Sequence, residues 1–305
     1  MPIAAADSII HTSNVPIAVR DYGGAGVGII LIPGLSRTLV DWNVMGPLLA
    51  NAHHVVAMDV RGHGKSSDAP WSWTAAVEDV DAVAKHFGMN APAVMGHSLG
   101  GMIASMWGRD HSESAGVINL DGHGNPRTDQ YLGLDPAWVT EKRAQLDALQ
   151  KQQLAALSGP LDEARVEALM AQQKAVAASV NAPEDLFVEG LRRMLEVREG
   201  GAYLRPAVDG LGAEIHASLD DIDMFSVYRE IRCPLLLINA VEPSGRTGGT
   251  PWIAELMSAF RKGQTRDLRA VSSSQANVRV ETVNGSHGLL FEQAKSIAEI
   301  VGDFL

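Results

Sequence analysis

The 305-residue sequence predicts an α/β protein in which a mostly parallel central sheet is flanked by helices on both faces. Two observations carry this prediction. Apolar runs of strand length alternate with amphipathic segments of helical length, and this alternation implies right-handed crossovers between parallel strands. The alternation also stops after residue 124 and resumes at residue 223. We therefore expect one sheet domain, made of residues 1–124 and 223–305, and an inserted helical cap over residues 125–222.

The elements before the insertion can be assigned one after another. Two strands are predicted around the polar turn Ser13-Asn14, and "VGIILIPG" is a buried strand that ends at Pro33-Gly34. Helices and strands then alternate, each strand being an apolar run and each helix having apolar residues at helical spacing. In chain order these are "LVDWNVMGPLLAN" (helix), "HHVVAMDV" (strand), "WTAAVEDVDAVAKHFG" (helix), "APAVMGHS" (strand), "LGGMIASMWGRDH" (helix) and "AGVINLDG" (strand).

The insertion differs in composition from the rest of the chain. It contains no convincing buried strand and is rich in Ala, Leu, Gln and Glu, which favour helices. Its helical stretches include "PAWVTEKRAQLDALQKQQLAAL", "LDEARVEALMAQQKAVAASV" and "PEDLFVEGLRRMLEV". The α/β pattern then ends with the strand "CPLLLINA", the helix "PWIAELMSAF", the strand "NVRVETV" and the helix "LLFEQAKSIAEIVGDFL".

The balance of charges excludes several classes of partner. Twenty-five basic residues stand against 36 acidic ones, and the net charge of −11 disfavours binding to nucleic acid or to an anionic membrane. The longest apolar runs are far shorter than the roughly 20 residues that cross a bilayer. The N-terminal residues do not resemble a signal peptide. We therefore expect a cytoplasmic protein with a small-molecule substrate and with neither a nucleic-acid nor a membrane partner.

The stretch "VMGHSLGG" carries the strongest functional signal. Gly96-His97-Ser98-Leu99-Gly100 fits the pattern G-x-S-x-G, and it lies between a predicted strand and a predicted helix. A sharp turn at this place strains the backbone at the serine, and the flanking glycines remove side chains that would collide. The hydroxyl is then presented at a helix N-terminus, where developing negative charge is favoured. Ser98 is therefore the predicted nucleophile.

A serine hydroxyl is a weak nucleophile and needs a general base. In "VNGSHGLLFEQ", His287 follows the last predicted strand and precedes the last helix. The strand–serine–helix turn at Ser98 is called a nucleophile elbow. In enzymes with such an elbow the histidine comes last of the catalytic residues in the chain, and none of the other nine histidines has that placement. His287 is therefore the predicted base. No pair of histidines has the helical spacing of metal ligands, so no metal site is predicted.

Together these motifs resemble the α/β-hydrolase fold superfamily. The resemblance covers residues 8–124 and 223–305 and leaves the insertion unmatched. The shared motifs are "LIPGL", "DVRGHGKSS", "GHSLGG" and "GSHGLLFE". The resemblance implies a serine hydrolase that needs no cofactor.

One of these motifs could be mistaken for a nucleotide-binding loop, since Gly64-Lys65-Ser66 matches the end of a phosphate-binding sequence. That loop requires glycine where this chain has Asp59, and it should open a helix, whereas Ala69-Pro70 follows shortly. In the superfamily that the chain resembles, this segment shapes the floor beside the nucleophile. Nucleotide binding is therefore not predicted.

Hydrolysis of an acyl bond also requires donors for the oxyanion. By resemblance, these are the backbone N–H groups of Leu99, directly after the nucleophile, and of Leu35 in "IPGL". Many relatives have His-Gly where this chain has Pro33-Gly34. Because the donor is a backbone amide, it does not depend on the side chain at position 33, and Leu35 stays the predicted donor.

The acid that orients the base has two candidates. Relatives usually carry it after the strand that follows the cap, but "INAVEPSGR" lacks their Gly-x-x-Asp pattern and offers Glu242. A minority carry it after the strand that follows the nucleophile helix, where "VINLDGHGNP" offers Asp121. Either carboxylate could stabilise the protonated His287. The sequence favours Asp121 and leaves Glu242 open.

These residues predict a serine hydrolase that cleaves a carboxylic ester or lactone through an acyl-enzyme. The insertion is rich in Ala, Leu and Met, so we expect a hydrophobic small-molecule substrate. The residues expected to line its pocket are Gly34, His97, Tyr131 and Trp138. Two alternatives stay open: cofactor-free perhydrolase or lyase chemistry on the same residues, and a non-catalytic binding protein of the same fold.

Overall fold

The structure of the protein is a computed structural model that describes residues 5–12, 15–208, 210–242 and 250–305. The described residues form strands β1 (Ala6–His11), β2 (Pro16–Gly23), β3 (Gly28–Ile32), β4 (His54–Met58), β5 (Ala93–His97), β6 (Gly116–Leu120), β7 (Leu195–Arg198), β8 (Gly201–Leu204), β9 (Leu235–Ala240) and β10 (Val278–Val283). Eight of them build one sheet in the order β1-β2-β4-β3-β5-β6-β9-β10. β2 pairs antiparallel with β1 and β4, and the other neighbours pair in parallel. The predicted fold class is confirmed.

Helices cover both faces of this sheet. They are α1 (Met45–Leu49), α2 (Trp73–His86), α3 (Leu99–Asp110), α4 (Pro136–Ala155), α5 (Glu163–Ser179), α6 (Glu184–Met194), α7 (Leu211–Ser218), α8 (Met224–Glu230), α9 (Pro251–Ser274), α10 (Leu289–Glu292) and α11 (Ala294–Phe304). Successive residues of a strand face opposite sides of a sheet. In β3, Ile30 and Ile32 pack in the apolar layer that includes α2 and α3. Ile29 and Leu31 pack in the layer that includes α1 and α11.

The segment between β6 and β9 contains α4 to α8 and a small antiparallel sheet of β7 and β8. The sequence predicts only helices here. The two strands of the hairpin are four residues long and only partly buried, so neither has the apolar run that marks a buried strand. The division into a core and a cap at residues 125–222 stays a prediction. None of the helices in the described ranges is long and apolar enough to cross a bilayer.

The parallel pairing places four loops at one edge of the sheet. β5, β6, β9 and β10 run in the same direction, so the segments that follow them all leave from their carboxyl ends. Ligands of open α/β sheets bind at this edge. Ser98 follows β5, Asp121 follows β6, Glu242 follows β9 and His287 follows β10.

Candidate active site

The turn from β5 to α3 holds Ser98 in a strained backbone conformation. Its φ of 55° and ψ of −119° lie outside the regions that a serine ordinarily adopts. The turn is tight enough that a Cβ at Gly96 would collide with the carbonyl oxygen of Gly100. The Ser98 N–H donates to the carbonyl of Leu120 at 2.9 Å and ties the turn to the end of β6. Strain of this kind persists where surrounding structure enforces it and is typical of functional sites.

The hydroxyl of Ser98 is free to react. The residue is half-buried, and its hydroxyl makes no hydrogen bond with any residue that the structure describes. The loop after β3 approaches it closely, because a Cβ at Gly34 would lie 3.3 Å from the Ser98 Cβ. Within the described chain, the N–H groups of Leu35 and Leu99 donate to no acceptor. Two unpaired amides beside a serine could hold an oxyanion.

His287 is oriented by a carboxylate. Its Nδ1 lies 2.7 Å from Oδ2 of Asp121, whose side chain is fully buried, whereas the side chain of His287 is 45% exposed. A neutral imidazole that donates through Nδ1 carries its lone pair on Nε2. That tautomer can accept a proton from a substrate or from a hydroxyl.

The residue before Ser98 links the elbow to His287. His97 is buried, and its Nε2 donates to the backbone carbonyl of His287 at 2.8 Å. The two imidazole rings have centroids 4.8 Å apart. Burial, together with the nearby charge of His287, lowers the pKa of His97 to about 3. His97 is therefore neutral at physiological pH and holds the loop of His287 against the elbow.

The carboxylate of Asp121 is also held by an arginine that the sequence analysis missed. Arg261 of α9 donates from Nη1 to Oδ1 at 2.7 Å and from Nη2 to Oδ2 at 2.8 Å. Burial alone would raise the pKa of Asp121. The charge of Arg261 and the hydrogen bond from His287 instead hold that pKa well below its ordinary value. No local sequence signal marks Arg261, because it lies 140 residues from its partner on a helix without a motif.

Glu242, the other candidate acid, is placed differently. Its backbone N–H donates to the carbonyl of Gly285 at 3.0 Å, but its side chain is exposed and has no hydrogen-bond partner among the described residues. Residues 243–249, which include the rest of the loop considered in the sequence analysis, lie outside the described residues. The geometry therefore favours Asp121 as the partner of His287.

The predicted pocket residues divide into two groups. Gly34 and His97 lie beside the elbow, as described above. Tyr131 and Trp138 instead belong to an apolar cluster with Phe260 of α9, and the rings of Tyr131 and Phe260 are 5.8 Å apart. Neither makes a hydrogen bond or a ring contact with Ser98 or His287. Their role in a pocket stays a prediction.

A second arginine that the sequence analysis missed lies in the loop after β3, two residues beyond Leu35. The guanidinium of Arg37 is 4.9 Å from the ring centre of Phe187 on α6 and 5.2 Å from that of Phe291 on α10. It also forms a bidentate ion pair with buried Asp41. Arg37 therefore lies where the insertion meets the helix that follows His287.

A cavity of about 360 Å³ is lined by His123, Arg143 and the segments 125–127 and 219–225, but neither Ser98 nor His287 lines it. Its lining includes the charged residues Arg127, Arg143, Asp220, Asp221 and Asp223. The candidate catalytic residues do not line this cavity, and the hydrophobic substrate pocket expected from the sequence stays a prediction. Within the described ranges, no group of three or more His, Cys, Asp or Glu residues could hold a metal ion.

Comparisons with known proteins agree with this architecture. A family model, described as the alpha/beta hydrolase family, matches residues 29–300. A segment of 86 residues is 33% identical to N-formylmaleamate deformylase of Pseudomonas putida, and covers 27% of this chain and 32% of that protein. A segment of 105 residues is 32% identical to fluoroacetate dehalogenase of a Burkholderia species, and covers 32% of this chain and 34% of that protein. The chain therefore spans about a third of the length of these two relatives.

Among solved structures, that of E-2-(acetamidomethylene)succinate hydrolase is similar over nearly the whole chain. The TM-score is 0.74 at 16% identity, and the match covers 98% of both chains. At this identity the likeness concerns the fold alone.

Proposed function

The chain belongs to the alpha/beta hydrolase family, and we propose that it is a serine hydrolase that cleaves the carboxylic ester or lactone of a small molecule. The observation that carries the proposal is the contact between His287 and Asp121, at the sheet edge where the strained Ser98 also lies. A histidine oriented by a carboxylate, with a strained serine at the same sheet edge, supports nucleophilic acyl transfer.

In the first half of the proposed reaction, Ser98 Oγ attacks the carbonyl carbon of the substrate and its proton passes to Nε2 of His287. The electron pair of the carbonyl moves to the oxygen, which the N–H groups of Leu35 and Leu99 stabilise. Ionised Asp121 stabilises the imidazolium. The tetrahedral intermediate then collapses, and the leaving alkoxide takes the proton from His287, which leaves an acyl group on Ser98.

In the second half, His287 removes a proton from a water molecule, and the resulting hydroxide attacks the acyl carbon. The second tetrahedral intermediate releases Ser98, which regains its proton from His287. The products are an acid and an alcohol, or a single hydroxy acid from a lactone. The Ala- and Leu-rich insertion supports a hydrophobic substrate, because a cap usually supplies much of the pocket wall.

A second candidate is the hydrolysis of an N-acyl bond in a molecule that carries a carboxylate. Arg37, a cation two residues beyond Leu35, favours it. Two of the similar proteins have names that describe such substrates, N-formylmaleamate and (acetamidomethylene)succinate. The same attack by Ser98 would serve, with His287 protonating the departing nitrogen instead of an oxygen.

The test combines a covalent probe with two substrate series. The native protein and a Ser98→Ala variant are treated with a serine-directed fluorophosphonate. They are also assayed with p-nitrophenyl esters of several chain lengths and with N-formyl and N-acetyl derivatives of unsaturated dicarboxylic acids. Labelling and turnover by the native protein alone support a serine hydrolase, and the preferred series decides between the two candidates. Absence of both labelling and turnover would contradict the proposal and favour a binding protein of the same fold.

A further inference from the structure

Arg261 donates two parallel hydrogen bonds, of 2.7 and 2.8 Å, to the carboxylate of Asp121. Both side chains are shielded from water, with 8% exposure for the arginine and none for the aspartate. The Ala240 N–H adds a hydrogen bond to Oδ1 at 3.2 Å, and Gln264 Oε1 accepts from Arg261 Nη1 at 2.9 Å. A planar guanidinium in this fork geometry fixes a carboxylate in both position and orientation.

A single oxygen of Asp121 serves two groups. Oδ2 accepts from Nη2 of Arg261 and also from Nδ1 of His287. When His287 takes a proton during acyl transfer, two cations share one buried anion. The carboxylate therefore stabilises the imidazolium less than it would if Arg261 were absent, because the arginine already offsets part of its charge.

We propose that Arg261 is a positioning residue that acts through Asp121. It fixes the carboxylate against His287 and offsets enough of its negative charge that the base stays unprotonated in more acidic solution. This inference rests on the proposed function, since it concerns the same serine, histidine and aspartate. α9, a helix outside the recognised motifs, would thus help to set the pH range in which the enzyme is active.

Removing the guanidinium should shift the acid limb of the pH–activity profile to higher pH, for two reasons that act in the same direction. The full charge of Asp121 would then favour the imidazolium, which cannot accept a proton from Ser98. If Asp121 itself became protonated in its water-free surroundings, it would no longer orient His287, and activity would again be lost from the acid side.

Other titratable groups lie around this pair. Among the residues that the structure describes, the titratable or charged side chains near His287 and Asp121, apart from Arg261, are His97, His123, Tyr228, Arg37 and Glu292. Burial lowers the pKa of His97 to about 3 and that of His123 to about 4, and burial raises the pKa of Tyr228 well above its ordinary value. Arg37 forms an ion pair with Asp41, and Glu292 accepts hydrogen bonds from Ser286. Arg261 is not among the groups that shift the pKa of His97 or Tyr228, but its charge helps to lower the pKa of His123. The Arg261 variants are therefore also compared in a His123→Asn background, which removes that imidazole from the profile.

The experiment measures the rate at which a fluorophosphonate labels Ser98 from about pH 5 to about pH 9, which needs no knowledge of the substrate. It compares the native protein with Arg261→Met and Arg261→Lys. Arg61→Met is the matched control, because Arg61 forms a similarly buried bidentate pair with Asp79 and hydrogen-bonds to neither Asp121 nor His287. We expect the acid limb of Arg261→Met to lie about 1 pH unit higher than that of the native protein. Its maximal rate should be about 10- to 100-fold lower.

The two other variants separate charge from structure. Arg261→Lys keeps the positive charge but loses the planar bidentate geometry. We therefore expect slower labelling with an acid limb near the native position. Arg61→Met should lose stability as Arg261→Met does, but its acid limb should stay at the native pH. If Arg261→Met does not fold, Arg261→Gln, which is neutral but retains an N–H donor, takes its place under the same expectation.

The outcomes distinguish this inference from the proposed function. Failure of the native protein to be labelled at any pH would contradict the proposed function itself. Labelling of the native protein, with a neutral Arg261 variant that is slower but has an unmoved acid limb, would show that Arg261 is only structural and would overturn the inference alone. The inference would also be overturned if the acid limb of Arg261→Lys shifted as far as that of the neutral variant, because the charge of Arg261 would then not be the cause.

Discussion

Nδ1 of His287 lies 2.7 Å from Oδ2 of Asp121, although 166 residues separate the two in the chain. The first prediction tests this contact with Asp121→Asn, which we expect to lower kcat by about 10⁴-fold. The only oxygen of the asparagine amide would be drawn to Arg261, so that its NH₂ group would face His287. The imidazole would then have to accept at Nδ1 and carry its proton on Nε2, where it cannot take a proton from Ser98.

The matched control for this prediction is Glu242→Gln, because its carboxylate is exposed and does not contact His287 among the described residues. We expect less than a two- to three-fold change in kcat for this variant. Steady-state rates on one ester substrate, with circular dichroism to verify folding, provide the measurement. A large loss in Glu242→Gln with a small one in Asp121→Asn would mean that the other carboxylate orients the base.

Several features of the site could be predicted from the sequence, because they depend on local patterns. The strand, the G-x-S-x-G turn and the helix identify Ser98, and the position of His287 after the last strand identifies the base. The choice between Asp121 and Glu242 could not be settled, because both follow strands that end at the same edge of the sheet. Which of them reaches His287 depends on how two loops turn, and no residue pattern records that.

Other features depend on contacts between distant segments. Arg261 follows Phe260, where the apolar helical pattern of α9 gives way to the polar sequence "RKGQTRDLR", so the sequence analysis ended the predicted helix there. The structure extends α9 to Ser274. Gly263 does not break the helix, and a Cβ at this position would collide with the backbone of Gln130. The glycine and the buried arginine are thus both explained by packing that only the folded chain creates.

The second prediction concerns the tight packing of the elbow. A Cβ at Gly100 would collide with the carbonyl oxygen of Ile32, and it would lie 2.6 Å from that of Pro33. We expect Gly100→Ala to lower the free energy of unfolding by about 3 kcal/mol and to slow the labelling of Ser98, because the loop of Leu35 must move. Urea denaturation, together with the rate of fluorophosphonate labelling, measures both effects.

The control for this prediction is Gly302→Ala on α11, where an added Cβ would meet nothing within 4 Å. Alanine has the higher helix propensity, so this variant should be more stable by about 0.5–1 kcal/mol and should label at the native rate. Equal stability of the two variants would contradict the close approach that the structure gives to Gly100.

The third prediction separates the two substrate classes through Arg37. If the substrate carries a carboxylate that Arg37 binds, its removal should raise KM for that substrate about 10- to 100-fold, because a charge-assisted hydrogen bond is lost. KM for a neutral p-nitrophenyl ester should change little. The variant Arg37→Met/Asp41→Asn is preferable to the single change, which would leave the buried Asp41 without its partner. Equal effects on charged and neutral substrates would count against recognition of a carboxylate.

The fourth prediction is that the protein loses stability as the pH falls from about 6.5 to about 5. Burial lowers the pKa of His63 and of His123 to about 4, and burial with the charge of His287 lowers that of His97 to about 3. In this window the unfolded chain therefore binds protons that the folded protein does not. The free energy of unfolding then rises with pH, and each imidazole contributes up to about 1.4 kcal/mol per pH unit.

Urea denaturation at several pH values measures this slope, and a substitution at His63 tests its origin. His63 lies outside the proposed machinery, and its Nδ1 contacts the carbonyl of Arg61 at 3.1 Å. His63→Asn can keep an N–H donor for that carbonyl but does not titrate, so it should reduce the slope by up to one proton. His86→Asn, at an exposed position near the end of α2, is the matched control for the histidine-to-asparagine change itself. If both variants keep the native slope, burial of His63 does not contribute to the acid sensitivity, and the prediction fails for this histidine.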